Sequence, residues 1–204
     1  MVYEFLIDTY ETERMKVLGV WSMFSDEDLV RRPHAEDVRG RSVVEQMVHQ
    51  CVSENLWFCN MLSIDVGAPP LPEEETRLEF IKRYAEDSAL RLEHLKQKDA
   101  GWWEEEVAFF DVGRSRAWIM ARRMLHTSHH RGQQTAILRM LGRSLHSTYG
   151  PTADTGGLMQ NKAPTIYPYQ DIDELIEKEA AGATKTPLPG PGTKSATERP
   201  DSST

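Results

Sequence analysis

The chain holds only two cysteines in 204 residues, Cys51 and Cys59, and both fall on one segment of helical periodicity. At about 1.5 Å rise per residue they lie roughly 12 Å apart along one axis, too far for a disulfide. Reduced thiols suit the cytoplasm, which is the expected compartment. No stretch approaches the ~20 consecutive apolar residues of a membrane-spanning helix. The N-terminal segment MVYEFLIDTYETERMK carries acids from Glu4 onward and has no uninterrupted apolar core, so neither a signal peptide nor an anchor is expected. Basic runs are missing too. Lys and Arg number 24 against 32 Asp and Glu, a formal net charge of −8. Such a chain repels nucleic-acid phosphate and anionic membrane. Arg122 and Arg123 share a helix and Arg31 and Arg32 a turn, but no basic stripe is interleaved with stacking aromatics. Nucleic acid and membrane are therefore excluded as partners. No internal repeat is present.

What remains is an ordinary globular composition, 39% hydrophobic and 27% charged, enough for one domain with a sizeable core. Four long segments carry helical periodicity. The first runs from Val2 to Phe24, with Phe5, Leu6, Tyr10, Met15, Leu18 and Trp21 forming a stripe; Ser25 and Asp28 then open a short turn that Pro33 closes. The second runs from Val43 to Val66, opened by a Ser42–Glu45 capping box and stopped by Gly67, Pro69 and Pro70. The third runs from Glu73 to Lys98. The aromatic, β-branched stretch from Trp102 to Ser115 reads as an extended connection, a hairpin-like lid. The fourth runs from Ser115 to Leu141, with Gly142 as its stop. Four such amphipathic helices predict an all-α four-helix bundle over residues 1–145. Residues 146–182 read as an irregular extension wrapping back over the bundle, with a short helix from Asp171 to Ala180. Residues 183–204, rich in Gly, Pro, Thr, Ser and Lys, read as a disordered tail.

The chemistry points to histidine. His126 and His130 stand at i and i+4, which stacks both rings about 6 Å apart on one helical face, a spacing suited to holding one ion. Neutral imidazole ligates Zn, Ni, Fe and Cu. A pair alone makes a weak site, and the best third candidate is His49, among Met47, Val48, Cys51 and Val52 on the second helix. A single interior histidine is more often a hydrogen-bonded core residue than a ligand, so His49 keeps both readings open. His129 points about 100° away from His130. His94 lies among charges, His34 in a turn, and His146 just past the fourth helix, where it would serve a second-layer role if any.

A histidine in the second helix, followed by H-x-x-x-H-R-G-Q in the last bundle helix (His126, His130, Arg131, Gly132, Gln133), resembles the DinB/YfiT-like family. The resemblance covers roughly residues 1–145. It implies a four-helix bundle with a crossover connection before the last helix. It also implies a divalent metal, Zn or Ni, on His49, His126 and His130 with water in the open positions, and a homodimer. Relatives in that family include transferases and isomerases that use low-molecular-weight thiols such as bacillithiol or mycothiol.

Three protein ligands with an open position make a catalytic type of site, whereas structural zinc takes four. The function expected is therefore metal-dependent thiol transfer or hydrolysis of a small molecule. The alternative is a non-enzymatic, dimeric stress-response or binding protein whose metal serves stability or sensing, with Trp102, Trp103, Phe109 and Phe110 as an interface. Around the site, Glu45 lies one turn before His49 and is placed either as its hydrogen-bond partner or simply as a helix cap. Gln133 and Gln134 are candidates for orienting the site or a substrate, Arg131 for holding an anionic group, and Trp57 for walling the pocket. Cys51, on an apolar helix face, is expected to be inert packing.

Overall fold

The structure, a computed structural model, describes residues 2–193. Its first long helix, α1 (Glu4–Ser22), buries Leu6, Ile7, Tyr10, Val17, Leu18 and Trp21 at helical spacing. A single 3₁₀ turn follows at Asp26–Asp28, where the Ser25 amide donates to Asp28 Oδ2 at 2.9 Å. Helix α2 (Val43–Met61) begins at the expected capping box: the Ser42 amide donates to Glu45 Oε2 at 2.7 Å, and the Glu45 amide to Ser42 Oγ at 3.3 Å. It stops at Met61 rather than Val66. Ser63 turns into the left-handed region (φ 53°), and the amide of Ile64 returns to the Phe58 carbonyl at 2.9 Å, which tucks Ile64 into the core instead of extending the helix.

Helix α3 (Arg77–Lys96) starts later than Glu73 because Thr76 supplies the cap, its Oγ1 accepting from the Glu79 amide at 3.3 Å. The aromatic connection then contains a five-residue helix that the pattern did not reveal, α4 (Ala100–Glu104), capped by Asp99. The expected hairpin follows: β1 (Glu106–Phe109) pairs antiparallel with β2 (Val112–Ser115), Phe109 opposite Val112. Ser115 caps α5 (Arg116–Met140), and Asp171 caps the short α6 (Ile172–Ala180).

Helix α1 packs on α3 and α5, and α2 packs on the same two. The long helices α3 and α5 therefore sit across the bundle from each other, joined by α4 and the hairpin; this is the crossover. Helix α6 lies against α1 and α3. No helix among the described residues is long and apolar enough to cross a membrane. Where the composition predicted disorder from 183 onward, residues 183–193 lie against the body: the Thr186 carbonyl meets His146 Nε2 at 2.8 Å, Lys185 pairs with Glu179 at 2.7 Å, and the Gly190 amide donates to the Asp154 carbonyl at 2.9 Å. The remainder of that expected tail, 194–204, lies outside the described residues.

Two apolar cores fill the bundle. One gathers Val17, Leu18, Trp21, Met47, Phe80, Ile81, Tyr84 and Leu138; the other gathers Leu6, Tyr10, Phe58, Leu62, Leu92, Leu95, Trp103 and Ile119. Polar side chains lie at the boundary between them, centred on Glu54 of α2, which is fully buried. Its carboxylate accepts from Tyr10 at 2.7 Å and Tyr84 at 2.9 Å, and pairs with Arg91 at 3.4 Å and Arg123 at 3.7 Å. Burial and the neighbouring carboxylate push both tyrosine hydroxyls up, so they stay protonated and donate. A buried carboxylate survives only with such company.

Candidate metal centre

Helix α2 brings His49, and α5 brings His126 and His130, to one place on the bundle. Each of the three offers a ring nitrogen, and these atoms all lie within 4.8 Å of one another. The ring centroids are 4.6 Å apart for His49 and His130, 5.5 Å for His49 and His126, and 4.5 Å for His126 and His130. His126 Nε2 stands 3.1 Å from His130 Nε2, as the i, i+4 spacing requires. His49 meets them because α2 packs on α5, so the third member comes from tertiary packing and not from local spacing.

The cluster has an assigned polarity. His130, only 3% exposed, turns Nδ1 toward two amide oxygens, Gln46 Oε1 at 3.0 Å and Gln133 Oε1 at 2.9 Å. Both are acceptors, so Nδ1 carries the hydrogen and Nε2 presents its lone pair to the cluster. The two glutamines are themselves tied, Gln46 Nε2 donating to Gln133 Oε1 at 3.1 Å. Burial is the first cause that holds all three imidazoles below their ordinary range. His126 falls to about 3, with Arg123 and the other two histidines adding to the effect. His130 falls to about 4, its hydrogen bond to Gln133 opposing the drop while His49, His129 and Arg41 reinforce it. His49 is lowered by burial, Arg41 and Arg123. Neutral imidazoles converging lone pairs on a common point fit a transition-metal ion, and the all-nitrogen set does not fit calcium or magnesium.

One side of the cluster opens into a cleft of about 500 Å³ lined by Arg41, His49, Arg122, His126, His129 and His130. Trp57 stacks on His126 with ring centroids 5.8 Å apart and planes 17° from parallel. Phe109 and Phe110 at the hairpin turn pack edge-on against Trp57, at 5.2 and 6.4 Å. The hairpin thus backs the Trp57 wall of the site.

Of the residues that the sequence singled out, His49, His126, His130, Gln133 and Trp57 come together. Three do not. The Glu45 carboxylate is taken up by the Ser42 amide and by Arg32, 3.1 Å away, so it is a cap and touches no histidine. Gln134 is buried against α1, its Oε1 accepting from Trp21 Nε1 at 3.3 Å. Arg131 is also turned toward α1, buried and paired with Glu13 and the Tyr149 hydroxyl, so it holds no anion at the cleft. His146 bonds to the tail, away from the cluster. Burial pushes the Cys51 thiol up, in keeping with inert packing. The sequence reading missed Gln46 and Arg41. Gln46 lies one turn before His49, a spacing that would have flagged it; Arg41, just outside the helix, leaves no periodic signal.

A model of the DinB family matches residues 5–162. Among solved structures, a DinB-like protein from Bacillus cereus ATCC 10987 is similar with a TM-score of 0.63 at 16% identity, covering 72% of this chain and 97% of that one. At that identity the likeness concerns the fold. A search of curated proteins finds no match.

Proposed function

The chain belongs to the DinB family, and from that premise we propose that it is a metal-dependent enzyme acting on a small molecule, with His49, His126 and His130 holding one divalent transition ion, zinc or nickel. The carrying observation is the convergence of these three neutral imidazoles, their donor atoms within 4.8 Å of one another, beside an open cleft. When bound, such an ion supplies Lewis acidity that favours the deprotonated form of a coordinated thiol or water. The chain's own residues do the rest. Gln46 and Gln133 fix the His130 tautomer, Trp57 orients the His126 ring, and Arg123 beside the cluster opposes protonation of His126 and His49.

The preferred chemistry is thiol transfer from a low-molecular-weight thiol, with hydrolysis as its neighbour. The setting is a homodimer in the cytoplasm, where Cys51 and Cys59 remain free. The cleft supports the enzymatic reading over a purely structural or sensing metal, which would favour a closed, fully ligated site.

The test is metal analysis by mass spectrometry after reconstitution with zinc or nickel, then turnover with several thiols and model electrophiles. One ion per chain is expected, lost in His126→Ala. Protein that takes up no metal, or a variant that keeps its full complement, overturns the reading.

A further inference from the structure

The cleft over the histidines is positively charged in a chain that is negatively charged overall. Lys and Arg are outnumbered 24 to 32 by Asp and Glu, so an arginine finds a carboxylate easily. Most do: Arg32 has Glu45, Arg39 has Asp37, Arg77 has Glu179, Arg131 has Glu13 and Arg143 has Asp28. Arg41 and Arg122 both line the histidine cleft, and among the described residues neither has a carboxylate partner or a side-chain hydrogen bond. The other lining groups are His49, His126, His129 and His130, so the cleft contains no acid. Glu45 and Glu75 line an adjoining depression that shares Arg41 and His49 with the cleft; Glu45 is already engaged by Ser42 and Arg32, and Glu75 makes no ion pair with Arg41. Two guanidinium groups lining the same cleft as the histidine cluster form a receptor for an oxyanion, because a planar donor fork matches carboxylate and phosphate alike.

We propose that Arg41 and Arg122 bind the anionic arm, carboxylate or phosphate, of the small molecule whose other end reaches the three histidines. The proposal rests on the metal reading for the position of that other end. The arginine pair alone carries the substrate class: an anionic small molecule, and among thiols an acidic one.

The experiment uses cobalt-loaded protein, in which thiol binding is followed by thiolate-to-cobalt charge-transfer absorption. Mercaptosuccinate is compared with the uncharged 2-mercaptoethanol. Mercaptosuccinate is expected to bind about tenfold more tightly at low salt, the combined effect of ion pairs to two exposed arginines. That ratio should fall toward one in the Arg41→Gln, Arg122→Gln double variant at unchanged cobalt stoichiometry. Succinate and inorganic phosphate are then tested as displacers, and the stronger identifies the oxyanion. A ratio near one in the unaltered protein, a ratio that survives the double substitution, or displacement by neither anion overturns the proposal. If the protein takes up no cobalt, the metal reading fails separately. Calorimetry of succinate and phosphate with the metal-free chain then decides the arginine claim: heat that disappears in the double variant upholds it, and no heat, or heat that persists in the variant, overturns it.

Discussion

Two polar clusters meet on α2 and α5, and they are built in opposite ways. Around Glu54, one buried carboxylate is enclosed by Tyr10, Tyr84, Arg91 and Arg123, so the anion is fully answered from within the chain. Around His49, His126 and His130, the converging donors are held neutral by burial and nearby arginines, with no acid among the residues lining the cleft. The first cluster is closed, with both carboxylate oxygens answered. The second presents lone pairs and unpaired guanidinium groups to a cleft, and only something from outside the chain can satisfy them. A completed cluster contributes to folding; an uncompleted one contributes to binding.

The strongest challenge to that contrast is Glu54→Ala. It leaves Arg91 and Arg123 buried without their carboxylate and should cost about 3–5 kcal/mol of stability, read from denaturant unfolding of the metal-free chain. His126→Ala in the same assay should cost much less. Equal losses would show that the histidine cluster is as structural as the other. Next come Gln133→Ala and Gln46→Ala, each of which removes an acceptor from His130 Nδ1. Each should weaken metal binding about 10- to 100-fold in competition with a chromophoric chelator, while shifting unfolding little. Weakening of stability without weakening of affinity would move these glutamines to the structural side of the comparison.

The last test concerns pH. In the folded, metal-free chain His126 titrates near 3 and His130 near 4, below an unfolded histidine at about 6.5. Between those values the unfolded chain binds more protons than the folded one, so stability rises with pH. It should be fully present above about pH 6.5 and decline as the pH falls toward 4. Thermal melts at pH 7, 6 and 5 should show a falling Tm for the metal-free protein and a shallower fall for His126→Ala. A Tm independent of pH over this range would mean that the cluster is more hydrated than its geometry implies.

Much of this was legible in the sequence, for identifiable reasons. The Ser42–Glu45 box, the Ser115 and Asp171 starts and the His126–His130 pair are local patterns, and local patterns survive folding. Contacts between helices are not written in spacing. Gln46 reaches His130 across 84 positions, and Arg131 turns inward to Glu13 although its charge suggests a solvated face. The left-handed Ser63 that ends α2 carries no Gly or Asn to announce it. Buried Glu54 was invisible for the same reason: a glutamate in an amphipathic helix reads as surface until its partners on other helices are known.

The Glu54 cluster also acts as a vernier along the bundle axis. Sliding α2 by one turn, about 5.4 Å, would drag its carboxylate away from Arg91 and Arg123 and into hydrocarbon. Such a slip would also break the interdigitation of the two cores, so the charges and the packing together fix how far each helix is advanced. His49 precedes Glu54 on α2, and His126 follows Arg123 by less than a turn on α5. The same axial registration that pairs the charges therefore delivers the third imidazole to the other two.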